Sequence, residues 1–300
     1  PAVFLCGLLN SQPMGFYSPS MLIQDARRHG VVVRPPDVLH SDWECRIDAD
    51  GAVRLGLGEI KGLSKAAGER IAALRQRVAP SAAVNPEKCP ISSVAQLAAQ
   101  AGLQRRDLDL LAAADALAGL AGHRRQAAWA VGAAAPPPAP VQRDLFAGVA
   151  VAEPAVALAA PSEGENLVAD YQRLGHTLRR HPLSLLREHL AARRFLTAGE
   201  LPHIGDRALV RVAGIVTGRQ RPGTATGIVF VTLEDETGWS NIVVHPQLVE
   251  KQRRELLGAS LLGVYGQLQK EGEVIHLVAK RLVDLSSWLG RLTTSSRDFH

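Results

Sequence analysis

A chain of 300 residues holds one large domain or two to three small ones. Its 34 basic and 29 acidic residues leave a formal charge of +5, a balance that suits a polyanionic partner without requiring one. Aromatics are only 4%, which argues against a surface built mainly for base stacking, and the three cysteines (Cys6, Cys45, Cys89) show no CxxC spacing for a zinc ribbon or disulfide framework. A reducing, cytoplasmic setting is the expectation. No apolar run approaches the roughly 20 residues of a membrane helix, and no signal peptide opens the chain, so no membrane partner is expected. The first residue is Pro1, so the chain is expected to begin inside a longer protein, with any catalytic centre upstream.

Ser18-Pro19 reads as an N-cap and first helical residue, with Leu22, Ile23 and Ala26 on one face and Gly30 as the stop. Val31–Val33 leads to Pro35-Pro36 and an extended segment. Trp43–Ile47 and Val53–Leu57 flank Asp50-Gly51, a hairpin turn signal. Ser64–Arg77, Val94–Gln100 and Arg105–Leu117 carry helical spacing. Residues 132–165 are rich in Ala and Pro and keep no period, as a flexible linker does. Residues 167–200 return to a basic helical pattern. Five strands come next: Leu209–Val216, Ile228–Glu234, Ser240–Val244, Leu261–Leu268 and Val274–Val283, with a helix Pro246–Leu257 after the third. That order is the order of an OB-fold barrel.

Charge is concentrated. Residues 36–53 are acidic, whereas residues 54–78 carry six basic residues against Glu59 and Glu69. The basic segment surrounds Ile60-Lys61-Gly62-Leu63-Ser64-Lys65, which resembles a helix-hairpin-helix turn. Such a turn presents backbone N–H groups beside a helix N-terminus, where a phosphate is favoured by donors and dipole together. Lys61, Gly62, Leu63, Ser64 and Lys65 are therefore candidate DNA-binding residues that would read the backbone and not the bases. Ser64 stands where a second glycine is common, and Gly68 where alanine is common. An ordinary helical turn with solvated lysines is the competing reading. A second, weaker copy is centred on Ala101-Gly102-Leu103, and its expected job is to pack against the first.

Inside the linker, Gln142-Arg143-Asp144-Leu145-Phe146 resembles the peptide by which bacterial DNA polymerases and repair proteins dock on the sliding clamp. Gln142, Asp144, Leu145 and Phe146 are the candidate clamp-binding residues, against a chance pentapeptide. On the barrel, Arg219 and Arg221 in the first hairpin loop are candidate DNA contacts, with Phe230, Trp239 and Tyr265 as its aromatics. Phe230 lies in a continuous apolar run and is expected in the core. The barrel reads equally as a single-strand binder or a protein-docking module. Glu234-Asp235-Glu236, ahead of Thr237-Gly238, is expected to be a solvated turn and not a metal site. His176 and His181 have poor metal spacing. No phosphate-binding Gx4GK[ST] loop and no GxSxG occurs.

Further residues carry a family resemblance. Leu8-Leu9-Asn10-Ser11-Gln12-Pro13-Met14-Gly15-Phe16-Tyr17, then Asp25-Ala26-Arg27-Arg28-His29-Gly30 and Arg34-Pro35, resemble the end of the fingers region in bacterial C-family DNA polymerases. Val53-Arg54-Leu55-Gly56-Leu57, the Lys61 hairpin, His181-Pro182-Leu183 and Leu233–Gly238 resemble the succeeding segments of that family. The stop soon after the barrel and the ending Ser296-Arg297-Asp298-Phe299-His300 resemble its error-prone branch. The resemblance implies DNA-templated DNA synthesis in damage tolerance, with Mg²⁺ held by palm aspartates upstream and no catalytic residue or cofactor in this part. It also implies that Arg27, Arg28 and Arg34 lie near nucleic acid, against plain surface charge.

The expected fold class is α+β and multidomain. A fingers remnant (1–52) precedes a tandem helix-hairpin-helix module (53–130) and a Pro/Ala-rich linker with the clamp-like peptide (131–166). A basic helical connector (167–206), a five-stranded OB-like barrel (207–286) and a tail (287–300) complete it. Expected partners are primer-template duplex, single-stranded template, the sliding clamp and other mutagenesis proteins. A non-catalytic repair scaffold joining hairpin and OB modules is the alternative.

Overall fold

Ser18 and Pro19 begin a helix as their residue types dictate: the serine side chain accepts from the Met21 N–H at 3.3 Å, and Pro19 needs no donor there. The structure, a computed structural model, describes residues 1–14, 17–78, 91–134, 156–223, 227–272 and 274–290. The chain divides into two compact units, Pro1–Ser162 with Asn166–Leu178, and Glu163–Glu165 with Arg179–His300.

The first unit opens with α1 (Ala2–Asn10) and α2 (Pro19–Arg28), and then β1 (Val33–Arg34), β2 (Arg46–Ile47) and β3 (Val53–Arg54). β3 lies between the other two, parallel to β1 and antiparallel to β2, and the Asp50-Gly51 turn joins β2 to β3 as the sequence suggests. Leu5, Leu9, Ile23, Val31, Val53 and Leu55 form the core of this part. The helices α3 (Lys65–Val78), α4 (Val94–Ala101), α5 (Arg105–Ala113), α6 (Ala118–Ala121) and α7 (Arg124–Ala133) come next and share a second core.

The helix expected over Arg105–Leu117 ends at Ala113, because Asp115 turns left-handed (φ 63°) and the chain restarts as α6 and α7. α7 carries on past the expected linker start, and residues beyond the Pro/Ala tract return to it. The His123 ring nitrogen Nε2 lies 3.1 Å from the Leu158 carbonyl, and the Leu158 N–H donates to Gln126 Oε1 at 3.0 Å. The next helix is α8 (Glu163–Arg173). Residues 166–178 therefore pack within the hairpin unit, although the sequence pattern groups them with the connector.

The second unit holds α9 (Pro182–Ala192) and a closed barrel. Its strands are β4 (Leu209–Gln220), β5 (Val229–Glu234), β6 (Trp239–Val244), β7 (Leu261–Glu271) and β8 (Val274–Asp284), in the order β4-β5-β6-β8-β7. Every pairing is antiparallel except β6 with β8. The expected helix Pro246–Leu257 is instead two short ones, α10 (Pro246–Lys251) and α11 (Arg253–Gly258), and α12 (Ser286–Gly290) comes after β8. At the break, Gln252 turns its amide to β8, donating to the Leu282 carbonyl at 2.8 Å and accepting from the Leu282 N–H at 2.9 Å.

Two expectations fail on the barrel surface. Val229, Val231 and Leu233 point inward, so strand alternation puts Phe230 outward and half-exposed instead of in the core. Asp235 is not solvated: it is buried, and its carboxylate accepts from the N–H groups of Ala198 (2.7 Å), Thr237 (2.8 Å) and Gly238 (3.0 Å). The turn is real, and its acid serves as its internal scaffold.

Candidate nucleic-acid interface

The hairpin around Gly62 differs from two full helices joined by a turn. A 3-10 turn, Leu57–Glu59, takes the place of the first helix, and α3 supplies the second. Gly62 sits at φ +87°, a conformation open to glycine, and reverses the chain. Ser64 then caps α3: its hydroxyl accepts from the Ala67 N–H at 3.2 Å. The serine at the second-glycine position thus keeps a helix-capping role. The amides of Gly62, Ser64, Lys65 and Ala66 have no backbone partner among the described residues, so they face the turn as free donors. Lys61 and Lys65 are exposed beside them.

Gly68 has a packing reason. A Cβ there would come within 2.5 Å of the Trp43 ring, so the indole packs this closely against α3 only because position 68 has no side chain. Trp43 belongs to the acidic segment, and the same segment supplies counter-ions to the basic one. Asp48 pairs with Arg54 at 2.9 Å, and Asp42 pairs with Arg75. Burial would raise the Asp48 carboxyl, but hydrogen bonds from Arg54 and Arg34 outweigh it and hold the acid below its ordinary range. The local excess of positive charge read along the chain is therefore largely neutralised in space. Arg34 itself bonds Asp48 at 2.8 Å and also Asp50, whereas Arg27 and Arg28 are exposed.

The second copy is the more regular hairpin. α4 and α5 flank Gly102, which is left-handed at φ +58°. Its turn exposes Gln104, Arg105 and Arg106, and the Arg105 and Arg106 amides have no backbone partner among the described residues. The two hairpins brace each other reciprocally. Arg70 of α3 donates to the Ala101 carbonyl at 2.9 Å, and Leu110 of α5 lies about as close as a Cβ on Gly62 would allow, 3.7 Å. Gln104, Arg105 and Arg106 are absent from the sequence-derived candidates. The Gly-Leu pair shared by 62–63 and 102–103 was the signal that could have found them.

Behind the first turn lies a buried polar cluster. Arg124 of α7 donates to Asp170 at 2.7 Å and to Asn166 Oδ1 at 2.8 Å, and Thr177 donates to Asp170 at 2.7 Å. His176 is buried beside it, and the Lys61 ammonium lies against Gly175. Burial, with the Lys61 charge adding to it and Asp170 opposing, pushes His176 down to about 4. The Lys61 N–H donates to the Arg173 carbonyl at 2.8 Å, which ties the hairpin turn to α8.

On the barrel, Arg219 is exposed, but its guanidinium is engaged: Nε donates to the Leu256 carbonyl at 2.6 Å and a terminal nitrogen to that of Ala259. It closes the carboxyl end of α11. Arg221 is exposed just past the end of β4. Gln142, Asp144, Leu145 and Phe146 lie outside the described residues. Cys45 is buried, and burial pushes its thiol up to about 12, which leaves an inert side chain. Among the described residues, no group of three or more His, Cys, Asp or Glu side chains could hold a metal ion, and no helix is long and apolar enough to cross a membrane.

Comparison with known proteins agrees with this geometry. Residues 30–127 match a helix-hairpin-helix motif family, and residues 210–285 match an OB-fold nucleic acid binding domain. Over all 300 residues the chain is 71% identical to the error-prone DNA polymerase of Dechloromonas aromatica, of which it spans 28%. It is 60% identical over its whole length to that of Azoarcus sp., again spanning 28% of the relative. Among solved structures, asparaginyl-tRNA synthetase from Pyrococcus horikoshii aligns over 30% of the chain and 23% of its own, with 21% identity and a TM-score of 0.27.

Proposed function

We propose that this chain, similar throughout its length to about a quarter of the error-prone DNA polymerases, is the part of such an enzyme that holds DNA and docks partners. The whole protein is read as a DNA-directed DNA polymerase acting in damage-induced mutagenesis and translesion synthesis. The observation that carries the reading is the 71% identity over all 300 residues to an error-prone polymerase. Nucleotidyl transfer and its Mg²⁺ belong, on this reading, to aspartates outside this chain, and no residue here is given a chemical step.

What this part contributes is grip. The Gly62 turn offers free amides at the start of α3, with Lys61 and Lys65 adding charge, and those groups meet a phosphodiester without reading sequence. The Gly102 turn offers the same donors a short distance along the module. A clamp bound through Leu145 and Phe146 would raise the local concentration of the enzyme on DNA by tethering, without adding a DNA contact. Arg219 and Arg221 remain proposed contacts of the barrel with a single strand. Of the two, Arg221 is the one with no hydrogen bond or ion pair to the protein among the described residues.

The test is duplex binding by the intact chain across a salt series. Lys61→Ala with Lys65→Ala is expected to weaken binding equally on unrelated sequences and to reduce the slope of log K against log salt by about 1.8. A slope equal to that of the unaltered chain rejects phosphate gripping by this turn.

A further inference from the structure

The barrel has two contrasting surfaces. On its outer face, cross-strand partners form a belt of Phe230, Val243, Val278 and Gln267, with Thr232, Asn241 and His276 in the next row. That belt has no lysine or arginine. The flank made by β4, β7 and β8 has the opposite character. Tyr265 in the middle of β7 pairs with Arg211 on one side and Arg281 on the other.

Both guanidinium groups lie over the tyrosine ring, at 5.0 Å and 5.6 Å from its centroid. Phe195 meets the same ring edge-on at 5.6 Å, which fixes its orientation from beneath. Arg193, just past α9, lies over the Trp288 ring at 4.3 Å, and its carbonyl accepts from Arg211 at 2.9 Å. A bulge in β8 opposite Tyr265 and Gly266 inserts Lys280 as an extra residue, so Lys280 and Arg281 are both exposed where alternation would hide one.

None of Arg193, Arg211 and Arg281 has a carboxylate within ion-pair distance among the described residues. Asp284, on the same strand, is committed to the Ser286 hydroxyl and amide. Three neighbouring guanidinium groups without a counter-ion repel one another, and stacking on rings holds them in place at some cost in mobility. Stacking leaves the N–H edges of Arg193 and Arg281 without a hydrogen bond among the described residues, whereas Arg211 gives one N–H to the Arg193 carbonyl. A flat cation held edge-out is the geometry that accepts a phosphate oxygen pair.

We infer that this flank, and not the Phe230 belt, is a phosphate-binding surface of the barrel, separate from the proposed single-strand contacts Arg219 and Arg221, and that it takes the backbone of duplex DNA. The choice of duplex rests on the rings: both aromatic faces are covered by guanidinium groups, so the bases of a single strand find no platform, whereas a duplex offers the denser row of phosphates. The surface lies wholly within the barrel unit and is independent of the hairpin turns.

Duplex and single-stranded DNA of mixed sequence should be titrated against the intact chain and its Arg193→Gln/Arg281→Gln variant, with circular dichroism as the check on folding. Arg211 is kept because it supports the Arg193 carbonyl. The variant is expected to lower the duplex salt slope by about 1.8 and to change single-strand binding less. Lys280→Gln/Arg281→Gln, confined to exposed side chains, covers the case in which the first variant folds poorly and should lower the slope by a similar amount. An unchanged duplex slope in a folded variant overturns the inference, as does a larger loss on single strands. Repeating the titrations with Lys61→Ala/Lys65→Ala separates the two surfaces: a slope that falls only with the barrel substitutions keeps this inference and rejects the hairpin reading.

Discussion

In the hairpin unit the groups proposed to meet a phosphate are main-chain amides with Lys61 and Lys65 beside them, whereas on the barrel they are side chains alone. This difference changes what each region asks of its sequence. Free amides at Gly62, Ser64 and Lys65 exist because a left-handed glycine reverses the chain and a serine caps the next helix. They stay in place because remote groups brace the turn: Arg70 on Ala101, the Lys61 amide on Arg173, and the Arg124–Asp170 pair behind them. On the barrel, strand parity and one bulge decide whether a side chain is presented or hidden. A backbone site is thus sensitive to its supports, and a side-chain site to its register.

The largest break in that comparison comes from the support. Asp170→Ala strands the buried Arg124 guanidinium and removes the acceptor of Thr177, so the hairpin unit should lose about 3–5 kcal/mol while the barrel unfolds as before. Urea titration followed by separate probes in the two units measures this; equal losses in both would erase the distinction. Acid provides the next effect. His176 titrates near 4 in the folded chain and near 6.5 when unfolded, so the unfolded state takes up its proton first. Its contribution is complete above pH 6.5, and about 3 kcal/mol disappears as pH falls from 6.5 to 4. His176→Asn should flatten stability against pH over that window.

Gly68→Ala drives a methyl group into the Trp43 ring and should cost roughly 2 kcal/mol, visible as a lower Tm with a weakened hairpin. The smallest expected effect belongs to the barrel. Phe230→Ala should cost about 1 kcal/mol, well short of the 3–5 kcal/mol of a core phenylalanine, because its ring is half-exposed on the outer face. A core-sized loss would return Phe230 to the interior and undo the parity on which the belt rests.

Much of the fold was legible because its signals are local. Ser18-Pro19 and Asp50-Gly51 act through neighbours within a few residues, and each works as its type predicts. The five barrel strands declared themselves by length and period. The candidate site was legible only in part. Gly62 and Ser64 are found by pattern, but the reason for Gly68 lies in Trp43, a residue outside the motif that packs against it. Asp235 looked solvated because an acidic triplet before Thr-Gly usually is, and nothing nearby announces that the Ala198 amide will arrive from outside the turn.

Charge gives the sharpest division. The sequence by itself determined which segments are acidic and which are basic, along with the hairpin glycines, the cap and the strand order, since these depend on residue type and short spacing. The tertiary structure alone decided which charges remain available. Asp48 and Asp42 neutralise Arg54 and Arg75 from a neighbouring segment, and the α11 carbonyls occupy Arg219. Arg193, Arg211 and Arg281, spread over 89 residues of chain, meet beside two aromatic rings without a carboxylate among the described residues. Coulomb energy depends on distance in space, and a chain that closes a barrel brings together residues that no window along the sequence contains.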